Sequence, residues 1–102
     1  MSNNKLLFSL GLARKAGALI KGNEIVHEAI RTNKAALVLL ACDTSDGSKK
    51  KLYTACSFYK TPIREIPHTK SSLATALGGS TDCAAVAIKK HEILKLIENN
   101  LE

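Results

Sequence analysis

The sequence predicts an α/β protein, a three-layer α/β/α sandwich with a small mixed sheet of about four strands. Amphipathic segments with helical spacing alternate along the chain with short apolar segments, a pattern typical of a sheet covered by helices on both faces. Two short segments, residues 36–41 and 83–88, are almost wholly apolar, as expected for central strands buried on both faces. The length of 102 residues suits a single domain over residues 1–102.

The first half of the chain contains two predicted helices and two predicted strands. Residues 4–16 form the first helix, which Gly17 can end. Its inward positions are Leu6, Leu7, Leu10 and Ala13. A short strand follows at residues 18–20, and residues 23–32 form the second helix. The inward positions of that helix are Ile25, Val26, Ala29 and Ile30. The strand at 36–41 completes this half.

The second half continues the alternation. A third helix covers roughly residues 47–59, with candidate caps in residues 43–46 that include Asp43 and Asp46. Its inward positions are Leu52, Ala55, Cys56 and Tyr59. Pro62 confines the strand at 61–66 to an edge or to a strand beginning, because proline lacks an N–H donor.

The last part of the chain contains a helix, a loop, a strand and a final helix. Thr69 or Ser71 caps the fourth helix, which runs through Leu77, and the glycine-rich loop 78–82 precedes the strand at 83–88. The last helix covers 91–101, with its inward face formed by Ile93, Leu94, Ile97 and Leu101.

The charge balance favours a polyanionic partner. Fifteen Lys and Arg against nine Asp and Glu give a net charge of +6, and the isoelectric point is near 9.4. Aromatic residues make up only 4% of the chain. That content argues against a fold that stacks bases on an aromatic sheet, such as an RNA-recognition motif.

Several classes of protein are disfavoured. The apolar runs are shorter than a membrane span, and the first residues lack the pattern of a secretory signal. The three cysteines contain no Cys-x-x-Cys pair and are expected to be small buried residues in a reducing compartment. We therefore expect a cytoplasmic protein that has no membrane association and uses no metal or cofactor. Nucleotide-binding glycine motifs and the Gly-x-Ser-x-Gly elbow are absent from the sequence, so no enzyme activity is predicted.

The strongest candidate site is the segment Lys21-Gly22-Asn23-Glu24 at the start of the second helix, together with His27 one turn later. The first N–H groups of a helix lack intrahelical partners and can hold a phosphate. An Asn or Glu beside them can bond base edges, and a Lys attracts phosphate. On these residues alone a second interpretation is favoured: an ordinary glycine turn and helix cap, with Glu24 favourable to the helix dipole.

Other basic residues occur in short groups. Arg14 and Lys15 end the first helix and precede the strand that leads to Lys21. The runs 49–51 and 89–90 are more typical of solvated surfaces.

The whole chain resembles a known RNA-binding family. The similarity is carried by LLFSLGLARKAGALIKGNEIV (6–26), KAALVLLACD (34–43), KTPIREI (60–66) and AAVAI (84–88). By these segments the chain resembles the ribosomal protein L7Ae/L30e superfamily of kink-turn RNA binders, and within it the small bacterial YlxQ-type branch. The resemblance implies the same α/β/α sandwich.

The resemblance also implies roles for individual residues. Gly22, Asn23 and Glu24 match the family turn that contacts the sheared G·A pairs of a kinked RNA. His27 stands where the family usually has a lysine. The second recognition element is the loop before the last strand, here Gly79-Ser80-Thr81-Asp82-Cys83, which lacks the usual apolar residues.

The leading hypothesis is a non-enzymatic protein that binds structured, kink-turn-like RNA such as ribosomal RNA and associates with ribosomes. The alternative is a protein-interaction module on the same fold, with RNA recognition weakened or lost, and the altered loop motivates it. A monomer is favoured.

Overall fold

Helices and strands alternate through the computed structural model, which describes residues 4–79 and 83–101. The helices are α1 (Asn4–Lys15), α2 (Asn23–Arg31), α3 (Asp46–Tyr59), α4 (Lys70–Ala76) and α5 (Ile93–Asn99). The strands are β1 (Leu19–Lys21), β2 (Leu37–Leu40), β3 (Ile63–Glu65) and β4 (Ala85–Ile88). The predicted alternation is confirmed, with element ends that shift by a few residues.

The four strands form one mixed sheet in the order β1-β4-β2-β3. β4 pairs antiparallel with both β1 and β2, whereas β2 and β3 run parallel. The two strands predicted to be central are central, and every residue of β2 and β4 is buried. β3 lies at the edge, directly after Pro62, as the missing proline N–H requires.

The two faces of the sheet carry separate halves of the core. Leu37 and Leu39 point to one face, where they pack with residues of α1, α4 and α5. Val38 and Leu40, which alternate with them, point to the other face and pack with α2 and α3. Side chains of successive strand residues face opposite ways, so four apolar residues in a row supply both layers. The predicted α/β/α sandwich is confirmed.

The caps of α3 and α4 lie among the predicted cap residues, but Asp43 has a role that the sequence did not predict. Ser45 caps α3, its Oγ accepting from the Ser48 N–H at 3.3 Å. Asp43, predicted to cap that helix, instead reaches α4, where its Oδ1 accepts from the Lys70 N–H at 2.8 Å. Thr69 caps α4 as expected. Asp43 lies close to the α4 start in space but 27 residues away in sequence, which local patterns could not reveal.

Two residues predicted to face inward are exposed. Ile25 is 62% exposed because the inward arc of the nine-residue helix α2 consists of Val26, Ala29 and Ile30. Tyr59, the last residue of α3, is 38% exposed and packs edge-on against the Phe58 ring, with centroids 4.8 Å apart.

The three cysteines are free thiols in different environments. Cys56 and Cys83 are buried, as predicted, whereas Cys42 is exposed. Cys42 lies two residues after the end of β2, directly after the buried Ala41. Burial raises the pKa of the Cys56 thiol to about 11, and it also raises the pKa of Cys83.

The thiol environments predict selective modification. In the native protein at about pH 8, a disulfide reagent such as dithiobis-nitrobenzoate should modify Cys42 rapidly and leave Cys56 unmodified, because reaction requires an accessible thiolate. Three thiols should react after denaturation. The absorbance of the released thiolate measures both amounts. The variant Cys42→Ser should lose the rapid phase, and a rapid phase that survives in it would contradict the described burial.

Candidate functional site

Gly22 belongs to the sheet and to α2 at once. Its N–H donates to the Ala85 carbonyl at 3.3 Å, which extends the β1–β4 pairing by one residue. Its own carbonyl accepts from the Val26 N–H at 2.8 Å and so begins α2. Gly22 makes both bonds with φ 104° and ψ 131°, a backbone conformation that side chains strongly disfavour. The glycine therefore sets the direction in which α2 leaves the sheet.

The first turn of α2 has no side-chain cap. Gly22 is the N-cap residue and has no side chain to offer, and no capping bond from a side chain is present. The Asn23 side chain points elsewhere: its Nδ2 lies 3.4 Å from the Ser48 Oγ on α3. Gly22 at the N-cap and Glu24 in the first turn agree with the interpretation as a glycine turn and helix cap, except that Asn23 takes no part in capping. The N–H groups of the first turn remain available to a ligand.

Asn23, Glu24 and His27 share one exposed edge, as their spacing predicted. They form one wall of a groove of about 660 Å³ between α2 and α3. The opposite wall consists of Ser48, Lys51 and Leu52.

The residues of α3 in this groove were not identified from the sequence. Lys51 was interpreted as part of a solvated run, and Ser48 was not singled out. The groove exists because α2 and α3 pack side by side on the same face of the sheet, a long-range arrangement that local spacing does not report. The run of lysines at the start of α3 was the one available signal.

Lys21 lies beside the second predicted recognition element. A Cβ placed on Gly79 would be only 3.1 Å from the Lys21 Nζ, so the lysine passes close to this loop. The Cys83 thiol is buried at the same corner, where the Gly22 backbone and the Lys21 charge partly oppose the rise in its pKa caused by burial. The structure therefore brings the two ends of the loop 79–83 to the start of α2.

Arg14 and Lys15 occupy a neighbouring surface. They line a groove of about 510 Å³ between α1 and α4, on the sheet face opposite to α2. Arg14 and Gly78 line this groove together, and a Cβ placed on Gly78 would lie 3.8 Å from the Arg14 Nη1. Arg14 and Lys21 thus flank Gly78 and Gly79, whereas Lys15 has no described contact with the start of α2.

Ser80 and Thr81, the other predicted residues of the loop, lie outside the described residues. Across residues 4–79 and 83–101, no group of three His, Cys, Asp or Glu side chains is arranged to hold a metal ion. None of the helices described has the length and apolarity required to cross a membrane.

Residues 4–98 match the family model for the ribosomal protein L7Ae/L30e/S12e/Gadd45 family. The chain belongs to this family. The match includes the start of α2, the α2–α3 groove and the loop 78–83, so the whole candidate site lies inside the L7Ae-type domain.

Three sequence relatives show to which part of the family the chain is similar. It is 35% identical over 69 residues to the RNA-binding protein YlxQ of Bacillus subtilis, which covers 68% of each chain. It is 38% identical over 65 residues to the RNA-binding protein YlxQ of Enterococcus faecium, covering 64% of this chain and 63% of that protein. It is also 30% identical to the large ribosomal subunit protein eL30 of Neurospora crassa, over 78% of this chain and 72% of that one. The predicted superfamily and its YlxQ-like branch are confirmed.

Solved structures show the same L7Ae-type fold. A Bacillus halodurans protein of unknown function superposes with a TM-score of 0.80 at 29% identity, covering 91% of this chain and 96% of its own. The Giardia lamblia 15.5kD RNA binding protein superposes with a TM-score of 0.77 at 23% identity, covering 94% and 81%. The second likeness is evidence for the fold alone.

The conformation of Gly22 predicts a specific sensitivity to substitution. Gly22→Ala should lower the free energy of unfolding by about 1–3 kcal/mol, because alanine is strained at a φ of 104°. A steric clash would not contribute, since the added Cβ would meet only the Ile25 Cδ1, at the ordinary contact distance of 3.8 Å. Urea denaturation measures the loss as a lower midpoint with an unchanged slope.

Gly47 provides the matched control, because it lies in the first turn of α3 with open space around its Cα. Gly47→Ala should leave stability unchanged or raise it by up to about 1 kcal/mol. Equal midpoints for Gly22→Ala and the wild type would contradict the described backbone.

Proposed function

We propose that this protein binds structured RNA of the kink-turn type through the N-terminus of α2, without catalysing a reaction. The observation that carries the proposal is the uncapped first turn of α2, presented by Gly22 and flanked by the exposed side chains of Asn23 and Glu24. Its membership of the L7Ae family and the names of its YlxQ relatives support RNA as the partner.

The side chains at this corner suit base recognition. The Asn23 amide both donates and accepts, which matches the edge of a purine, and the Glu24 carboxylate accepts from base amino or imino groups. Both are exposed at the mouth of the α2–α3 groove. In the family these positions contact the sheared G·A pairs of the kink, and Gly22, Asn23 and Glu24 have the matching residue types.

His27 replaces the lysine that the family usually has one turn later. An imidazole is a shorter side chain than lysine, and its neutral form offers only one donor. His27 is exposed on the same edge as Asn23, so it can contribute a hydrogen bond to a base or a phosphate. Lys51 of α3 lines the same groove and supplies a positive charge near the position of the missing lysine.

The loop 79–83 forms the second part of the proposed interface. Gly79, Ser80 and Thr81 would contact the RNA next to Lys21, whose Nζ lies close to Gly79. Arg14 lies near Gly78, directly before this loop. We assign Arg14 and Lys15 to phosphates of the RNA that extends past the loop.

Association with ribosomes, in the cytoplasm, is the biological setting that we propose. The family includes ribosomal proteins, and eL30 of Neurospora crassa is a relative named as part of the large subunit. A net charge of +6 on 102 residues is consistent with a partner as negatively charged as ribosomal RNA.

Titration of two RNAs tests the proposal. A consensus kink-turn RNA should bind more tightly than the same RNA with its G·A pairs replaced, and both affinities should fall with salt.

Asn23→Ala should weaken kink-turn binding by roughly 5- to 150-fold, the equivalent of about 1–3 kcal/mol for one base contact. Lys21→Ala should reduce the slope of log affinity against log salt by about 1.

The control variants lie on α5, which packs on the opposite face of the sheet from α2. Lys95→Ala and Asn99→Ala remove exposed side chains of the same types and should leave affinity and salt slope unchanged. Equal affinity for the two RNAs would overturn kink-turn specificity. The absence of salt-sensitive binding to either RNA would overturn RNA binding and favour the protein-interaction module.

A further inference from the structure

A second groove continues the α2–α3 groove away from the start of α2. It has a volume of about 520 Å³. The residues that line it include His27 and Arg31 of α2 and Lys50, Lys51, Phe58 and Tyr59 of α3. His27 and Lys51 line both grooves, so the two form one continuous trough between α2 and α3. We name this second groove the distal trough.

The distal trough carries an exposed aromatic ring. Phe58 is 76% exposed, although large apolar side chains are usually buried. The Phe58 and Tyr59 rings are in T-shaped contact, with the planes at 82° and the centroids 4.8 Å apart. Because most of the Phe58 side chain stays exposed beside this contact, it offers an aromatic surface on which a flat, apolar group can stack.

The rim of the distal trough is basic. Lys50 and Lys51 lie on the α3 side, and neither forms an ion pair with a carboxylate among the residues that the structure describes. Lys49 points away from them and pairs with Glu65 at 3.2 Å. Arg31 on the α2 side pairs with Glu28, both side chains being more than half exposed, and such a pair is weak enough for an anion to compete. A partner must therefore combine negative charge with a flat apolar surface.

We propose that the distal trough binds an unpaired stretch of RNA adjoining the kinked element, with one base stacked on Phe58 and phosphates near Lys50 and Lys51. This inference rests on the proposed function and extends it, because the trough begins at His27 beside the kink-turn surface. Nucleotides meet both requirements, since every base has a flat face and every link carries a charge. From Ser48 to Phe58 the trough follows α3 for about 15 Å, so bound nucleotides would run along it away from Asn23.

The first experiment compares one kink-turn RNA with and without a single-stranded uridine extension, placed in turn on each end of the RNA. One of the two extensions should tighten binding to the wild type, and Phe58→Ala should abolish the gain. Stacking of one base predicts a gain of roughly 5- to 150-fold.

Tyr53 offers a matched control. It is 40% exposed and lies on the same helix, α3, but lines neither groove. Tyr53→Ala should keep the whole gain. Equal gains in the wild type and Phe58→Ala, or no gain from either extension, would overturn the inference.

A second measurement reports on the ring itself. The chain contains no tryptophan, so Phe58→Trp introduces a single indole into the distal trough. A short oligouridine without any kink should quench this fluorescence by stacking, whereas the fluorescence of Tyr53→Trp, with its indole on α3 outside both grooves, should be unaffected. Equal responses from the two variants would overturn stacking at position 58.

The outcomes separate this inference from the proposed function. If blunt kink-turn RNA binds through Asn23 and neither the extensions nor Phe58→Ala change the affinity, the proposed function would be retained and the role of the distal trough overturned. If oligouridine quenches Phe58→Trp but the protein does not distinguish the kink-turn RNA from the RNA with replaced G·A pairs, the distal trough would be retained and kink-turn specificity overturned. A protein partner retained after ribonuclease treatment and lost in Phe58→Ala would assign the trough to that protein and overturn the inference.

Discussion

The candidate site depends on one residue that serves two structural elements. The Gly22 N–H belongs to the β1–β4 pairing, and the Gly22 carbonyl opens α2. Both bonds require a φ of 104°, which only glycine adopts readily. Sheet and helix are therefore joined without an intervening loop, and α2 projects its uncapped first turn from the end of β1. The positions of Asn23, Glu24 and His27 all follow from this junction.

The division of the core into two layers determines which surfaces lie next to the Gly22 junction between β1 and α2. α2 and α3 share one layer with Val38 and Leu40 of β2, and their parallel packing creates the trough that starts beside Asn23. α1, α4 and α5 occupy the other layer, which places Arg14 and Lys15 on a separate surface. The segment Gly78–Gly79 connects the two surfaces, with Arg14 on one side and Lys21 on the other. A kinked RNA, which presents two stems and a bend, would meet both surfaces at this segment.

The sequence predicted the elements that local patterns determine. The apolar runs of β2 and β4 identified the central strands, Pro62 identified the edge, and the glycine turn identified the start of α2. The errors arose where distant residues decide the outcome. Asp43 accepts from the first N–H of α4 across 27 residues, and the exposure of Ile25 depends on which arc of α2 meets the sheet. Ser48 and Lys51 could not be joined to Asn23 from spacing alone, because their proximity results from helix packing. The loop residues Ser80 and Thr81 remain predictions from the family resemblance.

The central claim is that RNA binds at the junction formed by Gly22, and amide chemical-shift mapping by NMR tests it most directly. Titration of the ¹⁵N-labelled protein with a kink-turn RNA should shift the amides of Lys21, Gly22, Asn23 and Glu24 the most. Smaller shifts should follow along α3 and at Gly79. Shifts concentrated on α5, with the start of α2 unchanged, would contradict the account.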